Sequence, residues 1–150
     1  MIEQDYLDML EALMRAHSQL SEVALDELFR ASCFDRGEML EPADVLLLAR
    51  ISGEAGEQSQ SQGHLLNMHA KSLDRLEAAG FLHLSRQERL KIYGLTEKGR
   101  EAASIVSDAF ARHHSIVSRL AAINATKLAS VNDALSHLDR TWRDIVLYRL

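Results

Sequence analysis

The sequence predicts a mainly α chain with one small β-hairpin. Three observations lead there. Long stretches carry apolar residues at three-and-four spacing with no Gly or Pro inside them. Seven Gly and a single Pro are too few for an all-β chain of many tight turns. Two short apolar runs flank one charged tip, Ser85-Arg86-Gln87-Glu88-Arg89. A hydrophobic content of 47% is ordinary for a soluble globular chain and too high for a disordered one. At 150 residues one compact domain is the expectation, with a two-part unit also compatible.

The first helix is predicted over residues 3 to about 32. Tyr6, Leu7, Leu10, Leu13, Met14 and Ala16 begin its apolar stripe, and Leu20, Val23, Ala24, Leu28, Phe29 and Ala31 continue it. Such a stripe packs either on a partner helix, including a second copy of the chain, or on the domain's own core. Phe34-Asp35-Arg36-Gly37 breaks the helix. Pro42 then fits the first position of a second helix, about 42–52, with Glu41 and Asp44 at the positive end of its dipole. Val45, Leu46, Leu47, Leu48 and Ile51 make it apolar nearly all round, the pattern of a central buried element. Residues 53–63, GEAGEQSQSQG, read as loop or marginal helix. A helical pattern resumes from Leu65 to Ala79 and stops at Gly80. Phe81–Leu84 and Leu90–Leu95 are the candidate strands of the hairpin. Thr96 can cap a long helix that runs to about Leu120. A break at 121–126 precedes a last helix over about 127–148.

The net charge of −5 is unevenly spread. Residues 1–63 hold 13 carboxylates against 4 cations, residues 64–100 hold 4 against 7, and residues 101–150 hold 5 against 6. A basic middle in an acidic chain is compatible with local contact to a polyanion and equally with an ordinary solvated surface. There is no apolar run near the ~18 residues a membrane span needs. MIEQDYLDML lacks the basic start of a secretory signal, so a cytoplasmic protein with no membrane partner is expected. One cysteine, Cys33, forms no intrachain disulfide and no Cys-rich zinc site. No nucleophile–base pair, phosphate loop or paired-acid constellation is present, so no enzyme activity, metal or cofactor is expected.

A helix-turn-helix followed by a Gly stop and a hairpin is the order of a winged helix. Within it, Leu73-Asp74-Arg75-Leu76-Glu77-Ala78-Ala79-Gly80-Phe81-Leu82 and Leu95-Thr96-Glu97-Lys98-Gly99-Arg100 resemble the end of the recognition helix and the strand-to-helix junction of the MarR family of bacterial transcription regulators. The Pro42 helix start and the segment from Ile123 to Leu138 resemble that family's corresponding regions. The resemblance covers nearly the whole chain in order. It implies a winged helix-turn-helix over 38–99 and a helical dimerisation region from 1–34 and 100–150, forming one domain. It also implies a homodimer on pseudo-palindromic double-stranded DNA, acting as a repressor released by a small-molecule effector or by oxidation. Twofold symmetry would present two identical reading helices to two half-sites.

The reading helix spans 64–79 if Gly63 is the turn, or is about one turn shorter if Asn67 caps it. Either way Lys71 and Arg75 are expected on its polar side, with Asn67 and Ser72 as further contacts. Arg86, Arg89 and Lys91 are expected in the wing. Lys and Arg reach phosphates or guanine edges, and Asn can pair with adenine. Each is equally compatible with a solvated surface charge. The family's wing carries an Asp-x-Arg element. Here Gln87 stands at the acidic position and Arg89 at the basic one.

Segment 53–72 lacks the apolar period of the helix that precedes a recognition helix. That departure and the missing wing acid favour an alternative, an interaction protein on the same scaffold (antirepressor or adaptor) without sequence-specific DNA binding. Cys33 is either a redox sensor, as in some regulators of this kind, or an inert buried thiol. Tyr6, Met14 and Trp142 either line an effector pocket or pack in the core. His113-His114 project about 100° apart on a helix and make no natural chelating pair. His64 and His69 fit polar surface or phosphate neighbours better than metal ligation.

Overall fold

The computed structural model describes residues 3–31, 40–53, 69–87 and 90–149. Their order is α1 (Gln4–Arg30), α2 (Pro42–Gly53), α3 (Ala70–Ala78), β1 (Leu82–Gln87), β2 (Leu90–Leu95), α4 (Glu97–Leu120) and α5 (Ala125–Tyr148). The chain forms two compact units, Met1–Arg112 and His113–Leu150, with the division inside α4. The fold class is mainly α with a two-stranded antiparallel wing, as expected.

The core of the first unit gathers short stripes from its described helices and the start of β1. Ala24, Leu25 and Leu28 come from α1, and Val45, Leu47 and Leu48 from α2. Leu73 and Leu76 come from α3, Phe81 and Leu82 from the turn into β1, and Ala102, Ala103, Val106 and Ala109 from α4. Parts of the two stretches expected to form the dimerisation region, 1–34 and 100–150, supply residues of this core. Only the last third of α1 is buried, because α2 meets it there. Tyr6, Leu7, Leu10 and Leu13 stay 37–40% exposed. The second helix is less central than its composition suggests. Leu46 is 48% exposed, since a helix packed on one side leaves the opposite side in water whatever stands there.

α3 ends in a Schellman motif. Gly80 takes φ +83°, the left-handed backbone that glycine adopts without a Cβ penalty. Its N–H donates to the Glu77 carbonyl at 3.0 Å, and the Phe81 N–H donates to Leu76 at 2.9 Å. α4 begins against this turn. Thr96 Oγ1 accepts from the Gly99 N–H at 3.0 Å, as a helix N-cap, and donates to the Gly80 carbonyl at 2.6 Å. Lys98 Nζ donates to Ala79 O at 2.9 Å and lies 4.9 Å from the Phe81 ring centroid. The end of one helix is thus capped by the start of another, with the wing between them in the chain.

The wing pairs Leu82 with Leu95, Leu84 with Tyr93 and Arg86 with Lys91. Leu82 is buried and Leu84 half-buried, so the first two even positions of β1 face the core, while His83, Ser85 and, further out, Arg86 are exposed. β1 runs to Gln87, three residues past the apolar stretch. Ladder hydrogen bonds to β2 hold those residues extended irrespective of side-chain polarity.

In the second unit α5 starts at Ala125, two residues earlier than the apolar period suggests, because Asn124 caps it. Its side chain accepts from the Lys127 N–H at 2.8 Å. Asn124→Ala should cost about 1 kcal/mol of stability, readable as a lower melting temperature. A gain or no change would mean that the cap contributes nothing. α5 buries none of its residues. Leu128, Val131, Ile145, Val146, Leu147 and Tyr148 are exposed on it.

Candidate nucleic-acid interface

α3 is short, nine residues, and its two sides differ sharply. Ser72, Leu73 and Leu76 are buried, whereas Ala70, Lys71, Asp74, Glu77 and Ala78 are exposed. The helix starts at Ala70, with His69 in non-helical backbone before it, further along the chain than either sequence reading placed it. Lys71 sits in the first turn, the part of a reading helix that reaches base edges in a helix-turn-helix. Asp74 and Glu77 share its exposed side, so this face is of mixed sign.

Arg75 lies at the boundary between the two sides and turns toward protein. Its Nε donates to Asp44 Oδ2 at 2.8 Å and its Nη2 to Asp44 Oδ1 at 2.8 Å, a bidentate fork. Nη2 also donates to Ser72 Oγ at 3.3 Å and lies 3.3 Å from Glu41 Oε2. Asp44 is fully buried, and its Oδ2 also accepts the backbone N–H of Glu41 at 2.8 Å, closing the first turn of α2. The hydrogen bond to Asp44 raises the Arg75 pKa above its ordinary value, against a smaller opposing effect of burial. Ser72, expected as a nucleic-acid contact, is 4% exposed and held under Arg75. Polarity alone had pointed both side chains outward. The packing of α3 on α2 turns them in.

In the wing Arg86 is exposed, and the register sets Lys91 directly opposite it. Tyr93 lies on the core-side register of the wing; burial, with Glu77 and Asp74 nearby, pushes its phenol pKa upward. Asn67, Arg89, Cys33, His64 and most of segment 53–68 lie outside the described residues.

Tyr6 and Met14 are exposed on α1, and Trp142 is half-buried on α5. None of the three lines the open hollow of about 540 Å³ at the bend between α4 and α5. That hollow is bounded by His114, Ser118, Ile123, Asn124, Leu128 and Asn132 among others, a mostly apolar wall with a few polar groups. Among the described residues no group of three His, Cys, Asp or Glu side chains is placed to hold a metal ion. No helix there is long and apolar enough to cross a membrane.

No protein-family model and no curated protein matches the sequence. Solved structures do match it. A MarR-family transcriptional regulator of Listeria monocytogenes, complexed with a 26mer DNA, is 18% identical with a TM-score of 0.66, over 99% of this chain and 94% of that one. A MarR transcriptional regulator of Methanosarcina mazei Go1 is 15% identical with a TM-score of 0.60, over 97% and 94%. A SlyA-like transcription regulator of Listeria monocytogenes is 17% identical with a TM-score of 0.59, over 99% and 94%. Helix order, wing and helix-capping junction therefore combine in the winged-helix fold of the MarR-family transcriptional regulators.

Proposed function

We propose that the chain is a homodimeric DNA-binding transcriptional regulator of the repressor type, bound to a pseudo-palindromic operator and released by a small ligand or by oxidation. The observation that carries this reading is the winged helix with Lys71 exposed on α3 and Arg86 exposed on β1, in a fold shared along 99% of the chain with a regulator solved on DNA. Lys71 enters the major groove or its phosphates, and Arg86 with Arg89 and Lys91 holds the flanking backbone. The net charge of −5 makes this a local contact rather than attraction by the whole molecule. The exposed stripe of Tyr6, Leu7, Leu10 and Leu13 and the unburied α5 supply apolar surface for a second copy. Reading helices about 34 Å apart would then meet successive major grooves. The hollow at the α4–α5 bend offers one space in which a small effector would fit.

A duplex from the chain's own upstream region, titrated at rising salt, tests the reading. Wild-type protein should bind with a steep salt dependence. Lys71→Ala should weaken binding and lower the slope of log affinity against log salt by about 1.8 per dimer, one released counterion from each half-site. An unchanged slope would remove Lys71 from the interface.

The exposed acids Asp74 and Glu77 beside Lys71 favour a second reading, an antirepressor or adaptor that binds protein. A genome-wide binding experiment without an enriched site, together with a regulator that co-purifies, would select it.

A further inference from the structure

We propose that Asp44 and Arg75 form a latch that fixes the rotation at which α3 is presented to DNA, and that neither residue touches the nucleic acid. The proposal rests on the DNA-binding reading above. Both are then positioning residues, acting through Lys71.

Little apolar surface holds α3 on the core. Leu73 and Leu76 are its buried apolar side chains, and apolar contact is non-directional. Two leucines keep a nine-residue helix on the core, and the bonds from Lys98 and Thr96 tie down only the turn that follows it, so neither contact directs the exposed side of its first turns. A guanidinium fork on a carboxylate is directional, because two parallel N–H···O bonds hold only when both planes align. Both bonds measure 2.8 Å. The acceptor is itself immobile: Asp44 is fully buried and tied to the Glu41 N–H at the start of α2. The pair spans 31 positions of sequence and joins α2 to α3 within the winged region. Lys71 stands one turn before Arg75 on α3, about 40° around the helix, so any rotation released at Arg75 displaces Lys71. Arg75 retains 28% side-chain exposure, yet its Nε and Nη2 face the protein. Asp44 has no exposure through which to meet a ligand.

The two roles open to Arg75 predict opposite signs. Asp44→Asn keeps the shape and the acceptor for Glu41 but removes the carboxylate. If Arg75 is a DNA cation restrained by Asp44, the substitution frees it and binding tightens. If the pair is a latch, α3 loses its orientation and binding weakens.

The experiment measures fluorescence anisotropy on a duplex that wild-type protein binds, from about 50 to 200 mM salt. Wild type, Asp44→Asn, Arg75→Gln and Arg75→Lys are compared at a temperature where the melting curves of all four remain native. Asp44→Asn should bind roughly 3- to 30-fold more weakly, the range of indirect coupling through a packed element. Its salt slope should equal that of wild type, and so should that of Arg75→Gln. Arg75→Lys keeps the charge without the fork and should fall between wild type and Asp44→Asn. It carries the test alone if the neutral variants do not fold. Binding by Asp44→Asn as tight as wild type or tighter overturns the latch, as does a slope lowered by about 1.8 per dimer in Arg75→Gln. So does wild-type affinity in Arg75→Lys. If wild type binds no duplex at all, the DNA-binding reading fails and the latch with it. If wild type binds and the variants match it, the latch alone fails.

Discussion

Gly99→Ala is expected to lower stability by about 3 kcal/mol or more, because the new methyl meets backbone that has no free direction in which to retreat. A Cβ at position 99 would stand 1.9 Å from the Phe81 carbonyl oxygen and 2.8 Å from its carbonyl carbon. That oxygen accepts the Thr96 N–H at 3.1 Å, so moving it aside breaks the bond between the turn and the cap of α4. The Thr96 side chain bridges the same two segments through Gly80 and Gly99. A shift at this point therefore loosens the α3 end and the α4 start together. In an ordinary exposed helix turn alanine would be the better residue by about 1 kcal/mol, so the expected sign is opposite to the propensity rule. Thermal unfolding followed by circular dichroism should show a midpoint lower by about 10 °C. A midpoint equal to or above wild type would mean that α4 does not need this close approach.

Phe81→Ala should cost about 3–5 kcal/mol, the usual range for deleting a fully buried aromatic ring. The backbone bonds of residue 81, to Leu76 and from Thr96, survive this substitution, so the loss isolates the ring. The ring is 0% exposed within the core shared by the described helices of the first unit, and it also supports the Lys98 ammonium. Urea titration should show a lower midpoint with an unchanged slope, the pattern of lost stability without a change in the surface exposed on unfolding. A loss below about 1 kcal/mol would indicate a core that collapses into the space, contrary to close packing of that site. The double variant with Gly99→Ala should fall short of the summed single effects, because both changes act on one junction.

Which features were legible along the chain follows from how far apart their causes lie. The α4 start was legible because Thr96 and the Gly99 N–H it caps are three residues apart. The α3 stop was legible because Gly80 closes a turn onto Leu76 and Glu77. Helix periods and the apolar sides of the wing depend likewise on residues within four positions. Lys71 was placed outward by the same local period. The Asn124 cap carried a readable signal too, a side chain suited to accept from the third residue on, but the run of small residues around it drew the start two positions late.

Arg75 and Ser72 follow a different rule. On the α3 wheel Ser72 falls between the wet and apolar sides and Arg75 near Lys71, so polarity sends both outward. The deciding partner, Asp44, stands 31 positions earlier, where its local reading is a favourable acid in the first turn of α2. No pattern within a helix reveals that this carboxylate is buried and that the guanidinium turns toward it. Helices, caps and strands arise from hydrogen bonds and side-chain spacing inside one segment, and a linear chain displays those. Which charge points to solvent and which is held inside arises when segments distant in the chain pack together, because only burial makes an unpaired charge costly enough to choose its partner.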